Sequence, residues 1–126
     1  TYRLSEAYLN RAEALVFLDK WESAITDINT IREKRIENDY EITATNREDA
    51  LNKVWEERRR ELCFEKHRWF DLRRQGMPEL RHIFTNGGSR KEYILPAGSK
   101  SYTLPIPKKI REQNKIIVNI ERPEQL

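Results

Sequence analysis

One cysteine, Cys63, leaves no partner for an internal disulfide and excludes a multi-cysteine metal site. A single thiol fits either redox compartment. Histidine is nearly as scarce: His67 and His82 are the only two, and the residues between them show no metal-ligand spacing, so neither a metal site nor a cofactor is expected. No run approaches the roughly 18 apolar residues needed to cross a bilayer, and the opening Thr1-Tyr2-Arg3 carries no signal-peptide pattern. Those first residues read as the inside of a helix, so the natural N-terminus is expected upstream. Charge of one sign is lacking too. The 24 basic and 21 acidic residues are interspersed, so the net charge of +3 does not by itself imply nucleic acid. Glycine is limited to four residues, and Gly87-Gly88 lacks the lysine and the serine or threonine of a phosphate loop, so it reads as a turn.

What is present is a polar chain with large aromatic side chains. At 37% hydrophobic and 36% charged, its three Trp, five Tyr and four Phe argue for a folded unit against disorder. The length of 126 residues suits one small domain with one core. The stretch from Trp55 to Arg74 is the most informative. At about 100° per residue, Leu51, Trp55, Arg58, Leu62, Glu65, Trp69 and Leu72 share one side of a helix, while Cys63, Phe64 and Phe70 point elsewhere. A helix apolar on more than one side is wedged between neighbours, so Arg58 and Glu65 are expected to be partly buried and paired. Cys63 should be a buried, inert thiol, even with His67 four residues on. Thr45 and Glu48 have capping-box spacing, and Gly76 with Pro78 gives a stop, which predicts a long central helix between them, bent near His67.

Ahead of it, Tyr2 to Leu18 and a second helix ending near Glu37 form an antiparallel hairpin joined at Asp19 and Lys20, with Asp19 and Glu22 again at capping-box spacing. Leu4, Tyr8, Leu15 and Leu18 lie on one side of the first helix, Leu9, Ala12 and Val16 on another; Ala24, Ile25, Ile28 and Ile31 recur on the second. The large and small alternation resembles one tetratricopeptide unit. Asn38 to Thr45 is a polar connection. After Gly76, turn residues punctuate short runs at Tyr93-Ile94-Leu95 and Tyr102-Thr103-Leu104, predicting an extended tail with one small hairpin. Pro107 can open a short helical turn, Lys108 to Gln113, before the apolar run Ile116-Ile117-Val118.

Glu57, Glu61 and Glu65 recur one helical turn apart, as a catalytic or cation-binding row could. Neighbouring Arg58, Arg60, Lys66 and Arg68 favour ion pairing at i,i+3 and i,i+4 instead. Arg58-Arg59-Arg60, Arg73 and Arg74 radiate around the helix among acids, which disfavours nucleic acid as a partner. Trp69 and Phe70 could stack on sugar rings, but their opposed angles favour packing; Tyr93 and Tyr102 in the tail are the solvent-exposed alternatives.

The run Glu57-Arg58-Arg59-Arg60-Glu61-Leu62, with Glu65 and then His67-Arg68-Trp69-Phe70-Asp71-Leu72-Arg73-Arg74, resembles the C-terminal signature of the SusD/RagB family of outer-membrane nutrient-binding lipoproteins. Tyr2 to Ala14 looks like that family's preceding helix, and Leu104-Pro105-Ile106-Pro107 like its late extended segment. Lys66 stands where the signature often has glycine, and the Asn-Pro-Gly type ending is absent after Asn119. Such proteins are several times longer, so the resemblance implies a C-terminal portion: residues 1–126 as one mainly α domain, a tetratricopeptide-like hairpin and long central helix over 1–76, and an extended tail over 77–126 packed on them. It implies no enzyme. The expected function is binding of a nutrient, an oligosaccharide in the first instance, at the cell surface for a SusC-like TonB-dependent transporter, with the lipid anchor outside this segment. No catalytic or ligand residue is carried over. Arg58, Glu65, Trp69 and Asp71 are expected to lock the central helix onto the first hairpin. The alternative is a helical-repeat adapter that grips a partner protein and ignores sugars.

Overall fold

The structure, a computed structural model, describes residues 3–114 and 116. It contains two compact units, Thr1–Arg68 and Trp69–Leu126, so the division falls before the expected boundary at Gly76. Among the described residues no helix is long and apolar enough to cross a membrane.

The first unit is three helices, α1 (Leu4–Phe17), α2 (Trp21–Glu33) and α3 (Arg47–Glu61). Each supplies one fully buried alanine, Ala12, Ala24 and Ala50, and these small side chains let the helices approach closely around Val16, Ile25, Ile28 and Val54. A second cluster of Leu9, Ile31 and Leu62 continues the core, with Tyr8 against it. The apolar rows expected on α2 and on the Leu9 side of α1 are therefore the buried ones. Leu4 and Leu18 are exposed.

The α1 to α2 link differs from the expected capping box. Asp19 is left-handed (φ 60°), and the Lys20 amide reaches back to the Leu15 carbonyl at 2.8 Å while the Asp19 amide reaches Val16 at 3.1 Å. Asp19 thus ends α1 in the position glycine usually takes. The N-cap of α2 is Lys20, without a side-chain cap, and α2 ends at Glu33 rather than Glu37. The cap of α3 is shifted by one residue from Thr45: the Asn46 side chain accepts from the Asp49 amide at 2.9 Å, and Asp49 accepts from the Thr45 amide at 2.8 Å.

The long central helix does not exist as one rod. α3 stops at Glu61, Leu62 to Lys66 form turns, and α4 occupies Arg68–Arg74. Phe64 (φ 65°) and Lys66 (φ 67°) are both left-handed, a conformation no right-handed helix can pass through. The break follows the packing: Leu62 is the last residue of the row that the α1 and α2 core buries, and Phe64 is fully exposed.

In the second unit α4 ends as expected. Gly76 is left-handed (φ 91°) and the Met77 amide bonds the Leu72 carbonyl at 2.9 Å. A two-stranded antiparallel hairpin follows, β1 (Leu80–Asn86) with β2 (Ser89–Leu95), pairing Asn86 with Ser89 across Gly87-Gly88. Both glycines have positive φ, 52° and 86°, which a two-residue turn matching the strand twist requires. Tyr102-Thr103-Leu104 is not a strand. Lys100–Tyr102 is a 3-10 turn held by the Ser99 side chain, which accepts from the Ser101 amide at 3.2 Å. A short helix, α5 (Lys108–Gln113), follows Pro107. Ile117 and Val118 lie outside the described residues.

Candidate functional site

The partners of the acidic row come chiefly from α2 and from the residues that flank α1 and α2. Arg32 of α2 donates to Glu57 at 3.0 Å, with Arg60 of α3 at 3.4 Å. Arg35, just past α2, holds both oxygens of Glu61 at 2.9 and 3.1 Å, and Arg3, ahead of α1, adds a bond at 2.9 Å. Arg3 also pairs with Glu65. The i,i+3 and i,i+4 pairing expected within one helix is seen in Arg60 with Glu57 and Glu56. The carboxylates instead tie α3 and the turn after it to both ends of the first hairpin. Arg35 holds the Glu61 carboxyl below its usual range, with Ser5 and Arg3 adding to the effect and burial opposing it.

Arg58 is buried at 7% exposure and donates from Nη1 to Asn10 Oδ1 on α1 at 2.8 Å. One turn earlier, Trp55 Nε1 donates to buried Glu13 at 2.9 Å. Arg11 of α1 grips Asp27 of α2 through two bonds at 2.5 and 2.8 Å. Asn10, Glu13, Arg11 and Asp27 were not singled out in the sequence. Their signal was present, since each is a polar residue adjacent to a core position, Leu9 or Ala12 on α1 and Ile28 on α2.

Glu65 is exposed rather than partly buried, because the chain has left the helical row by that point. Trp69 is half-buried and stacks on Tyr102, ring centroids 5.0 Å apart at 22°. Asp71 is buried and accepts from Arg74 Nε at 3.0 Å. Cys63 is exposed, contrary to the buried thiol expected, since it falls in the turn and not on a helix. Tyr102, offered as an exposed sugar platform, is fully buried, with its hydroxyl donating to the Pro78 carbonyl. Tyr93 remains 46% exposed, with Lys91 Nζ 4.9 Å from its ring centre.

The arrangement ties the carboxylates of the acidic row to arginines from other parts of the first unit. Each of Glu57, Glu61 and Glu65 holds an arginine, and all three approach from one stretch of chain, whereas glycoside cleavage needs carboxyl groups on two sides of a bond. Among the described residues no group of three His, Cys, Asp or Glu could hold a metal ion.

The SusD family's sequence model matches residues 1–122. The chain belongs to the SusD family. A solved SusD-like carbohydrate binding protein from Bacteroides vulgatus ATCC 8482 superposes with a TM-score of 0.64 at 23% identity, over 90% of this chain and 28% of that one. This SusD family chain thus spans less than a third of that relative's length, and the likeness supports the mainly α fold. No curated protein matches. The run from Glu57 to Arg74 divides between the first unit and the start of the second.

Proposed function

We propose that this segment is scaffold in a non-catalytic nutrient-binding lipoprotein of the outer membrane, one that captures an oligosaccharide at the cell surface and delivers it to a SusC-like TonB-dependent transporter. The observation that carries this reading is the family match over residues 1–122. The description of the solved relative as a carbohydrate binding protein supports the ligand class. The arginine-bound state of Glu57, Glu61 and Glu65 supports a role without covalent chemistry. In this reading ligand contacts and the lipid anchor lie in other parts of the protein, while Arg58, Glu65, Trp69 and Asp71 keep the frame in shape.

A glycan array on the full-length protein, followed by co-purification with its transporter, tests the proposal. Selective binding of one sugar class with retention of the transporter is the expected result. Indifference to every sugar, with capture of another protein, would favour the helical-repeat adapter. Hydrolysis of a bound sugar that disappears in Glu61→Gln would overturn the non-catalytic reading.

A further inference from the structure

The hairpin of β1 and β2 is almost wholly exposed. Every residue from 81 to 94 faces solvent, and only Leu80 and Leu95, paired at its base, are half-buried. Alternation along the strands gives the ribbon two faces of different character. One carries Glu79, Arg81 and Glu92, and there the charges satisfy one another: Arg81 Nε donates to Glu79 at 2.7 Å, and its Nη1 lies 3.5 Å from Glu92.

The other face holds the aromatic side chains and no acid. The register sets Tyr93 opposite His82 and Lys91 opposite Phe84, with Asn86 and Ser89 at the turn end. Phe84 and Tyr93, 51% and 46% exposed, are diagonal neighbours, with roughly 7 to 8 Å between such backbone positions, close enough for two rings to form one strip. Lys91 Nζ lies 4.9 Å from the centre of the Tyr93 ring, and among the described residues it forms no ion pair with a carboxylate. An anion can therefore take a charge-assisted hydrogen bond from it without first displacing a protein acid. A sugar ring has the matching form. One side presents C–H bonds that lie on an aromatic face, while hydroxyls at its edge reach polar groups such as the Tyr93 hydroxyl. A carboxylate or sulfate on that ring supplies the negative charge that complements Lys91.

We infer that this face of the hairpin is an accessory contact for an acidic oligosaccharide, whose rings lie on Tyr93 and Phe84 while its carboxylate or sulfate meets Lys91. The inference rests on the nutrient-binding reading and deepens it by naming a charge class of sugar. It adds a contact to those placed elsewhere in the protein.

The test is titration calorimetry on the full-length protein with three probes: oligogalacturonate for the carboxylate, a carrageenan oligosaccharide for the sulfate, and a maltooligosaccharide as the neutral sugar. At least one acidic probe should bind, more weakly as salt is added. Lys91→Gln should weaken it by about tenfold, the worth of one hydrogen bond to a charged group, and Lys91→Arg should restore it. Tyr93→Ala should weaken it as well, whereas Tyr93→Phe, which keeps the ring, should do so less. Arg90→Gln removes the same charge from the opposite face and should leave the affinity unchanged. Thermal unfolding of each variant checks that it is folded, as exposure of all three positions predicts. Unaltered binding of the acidic probes in Lys91→Gln, or an equal loss in Arg90→Gln, would overturn the inference. Binding of neutral sugars alone would overturn it and leave the nutrient reading standing; indifference to every sugar would overturn both.

Discussion

Asn29 and Ile42 exchange two hydrogen bonds: the side-chain amide of Asn29 donates to the Ile42 carbonyl at 3.0 Å, and its oxygen accepts from the Ile42 amide at 3.0 Å. A side chain on α2 thereby imitates a strand partner for the irregular connection. With Arg32 Nε donating to the Tyr40 carbonyl and Lys53 Nζ to the Thr43 carbonyl at 2.6 Å, it positions the entry to α3.

Asn29→Asp keeps the shape and the acceptor but replaces the donor with an oxygen facing the Ile42 carbonyl. We expect it to cost about 1 to 3 kcal/mol in urea denaturation, the range for leaving a partly buried polar group without its partner. Amide exchange of Ile42 should quicken in the same variant. Unchanged protection there would mean the connection is held by something else.

Glu61 gives a pH signature. Its folded carboxyl is depressed by Arg35, so folding favours the ionised form. Above the ordinary carboxylate range that stabilisation is fully present; it declines as pH falls through the depressed folded value. Glu61→Gln should therefore lower the urea midpoint at neutral pH, with the gap from the parent narrowing in acid. A gap that stays constant down to strongly acidic pH would show that Glu61 contributes no proton linkage.

Lys66 and Asp19 hold left-handed backbone, φ 67° and 60°, at a strain of roughly 1 kcal/mol each. Lys66→Gly and Asp19→Gly should each stabilise the fold slightly and raise the thermal midpoint, by about 0.5 kcal/mol at most once the roughly 0.5 to 1 kcal/mol for the greater freedom of unfolded glycine is subtracted. A lower midpoint for Lys66→Gly would reveal a stabilising contact of the lysine side chain.

Tyr102 separates two contributions in the second unit. Tyr102→Phe loses the hydroxyl bond to Pro78 while keeping the stack on Trp69, for an expected cost of about 1 kcal/mol. Tyr102→Ala loses both and opens a cavity, which should cost about 3 to 5 kcal/mol by chemical denaturation. Trp69→Ala should cost less than Tyr102→Ala, because Trp69 is only half-buried. The reverse order would place the stack's main burial on the tryptophan.

The hairpin of α1 and α2 was legible because Ala24, Ile25, Ile28 and Ile31 repeat at helical spacing, and burial follows that repeat. Gly76 and Gly87-Gly88 were legible because left-handed backbone favours glycine. The division of the central stretch was not. Residues 62 to 66 have the same mixture of charged and apolar side chains as the helix before them, and periodicity carries no mark of where a supporting core ends. The acidic row was read as ion-paired, but its partners Arg3, Arg32 and Arg35 lie far along the chain, and local spacing offers only local partners.

By itself the amino-acid order determined helix type, the turn at paired glycines and the chain's likeness to the SusD family, all properties of neighbouring residues. Tertiary structure alone decided that α3 stops at Glu61, that Cys63 faces solvent while Tyr102 does not, and which arginine meets which carboxylate. Those outcomes depend on burial and long-range charge pairing, which arise only when distant segments meet.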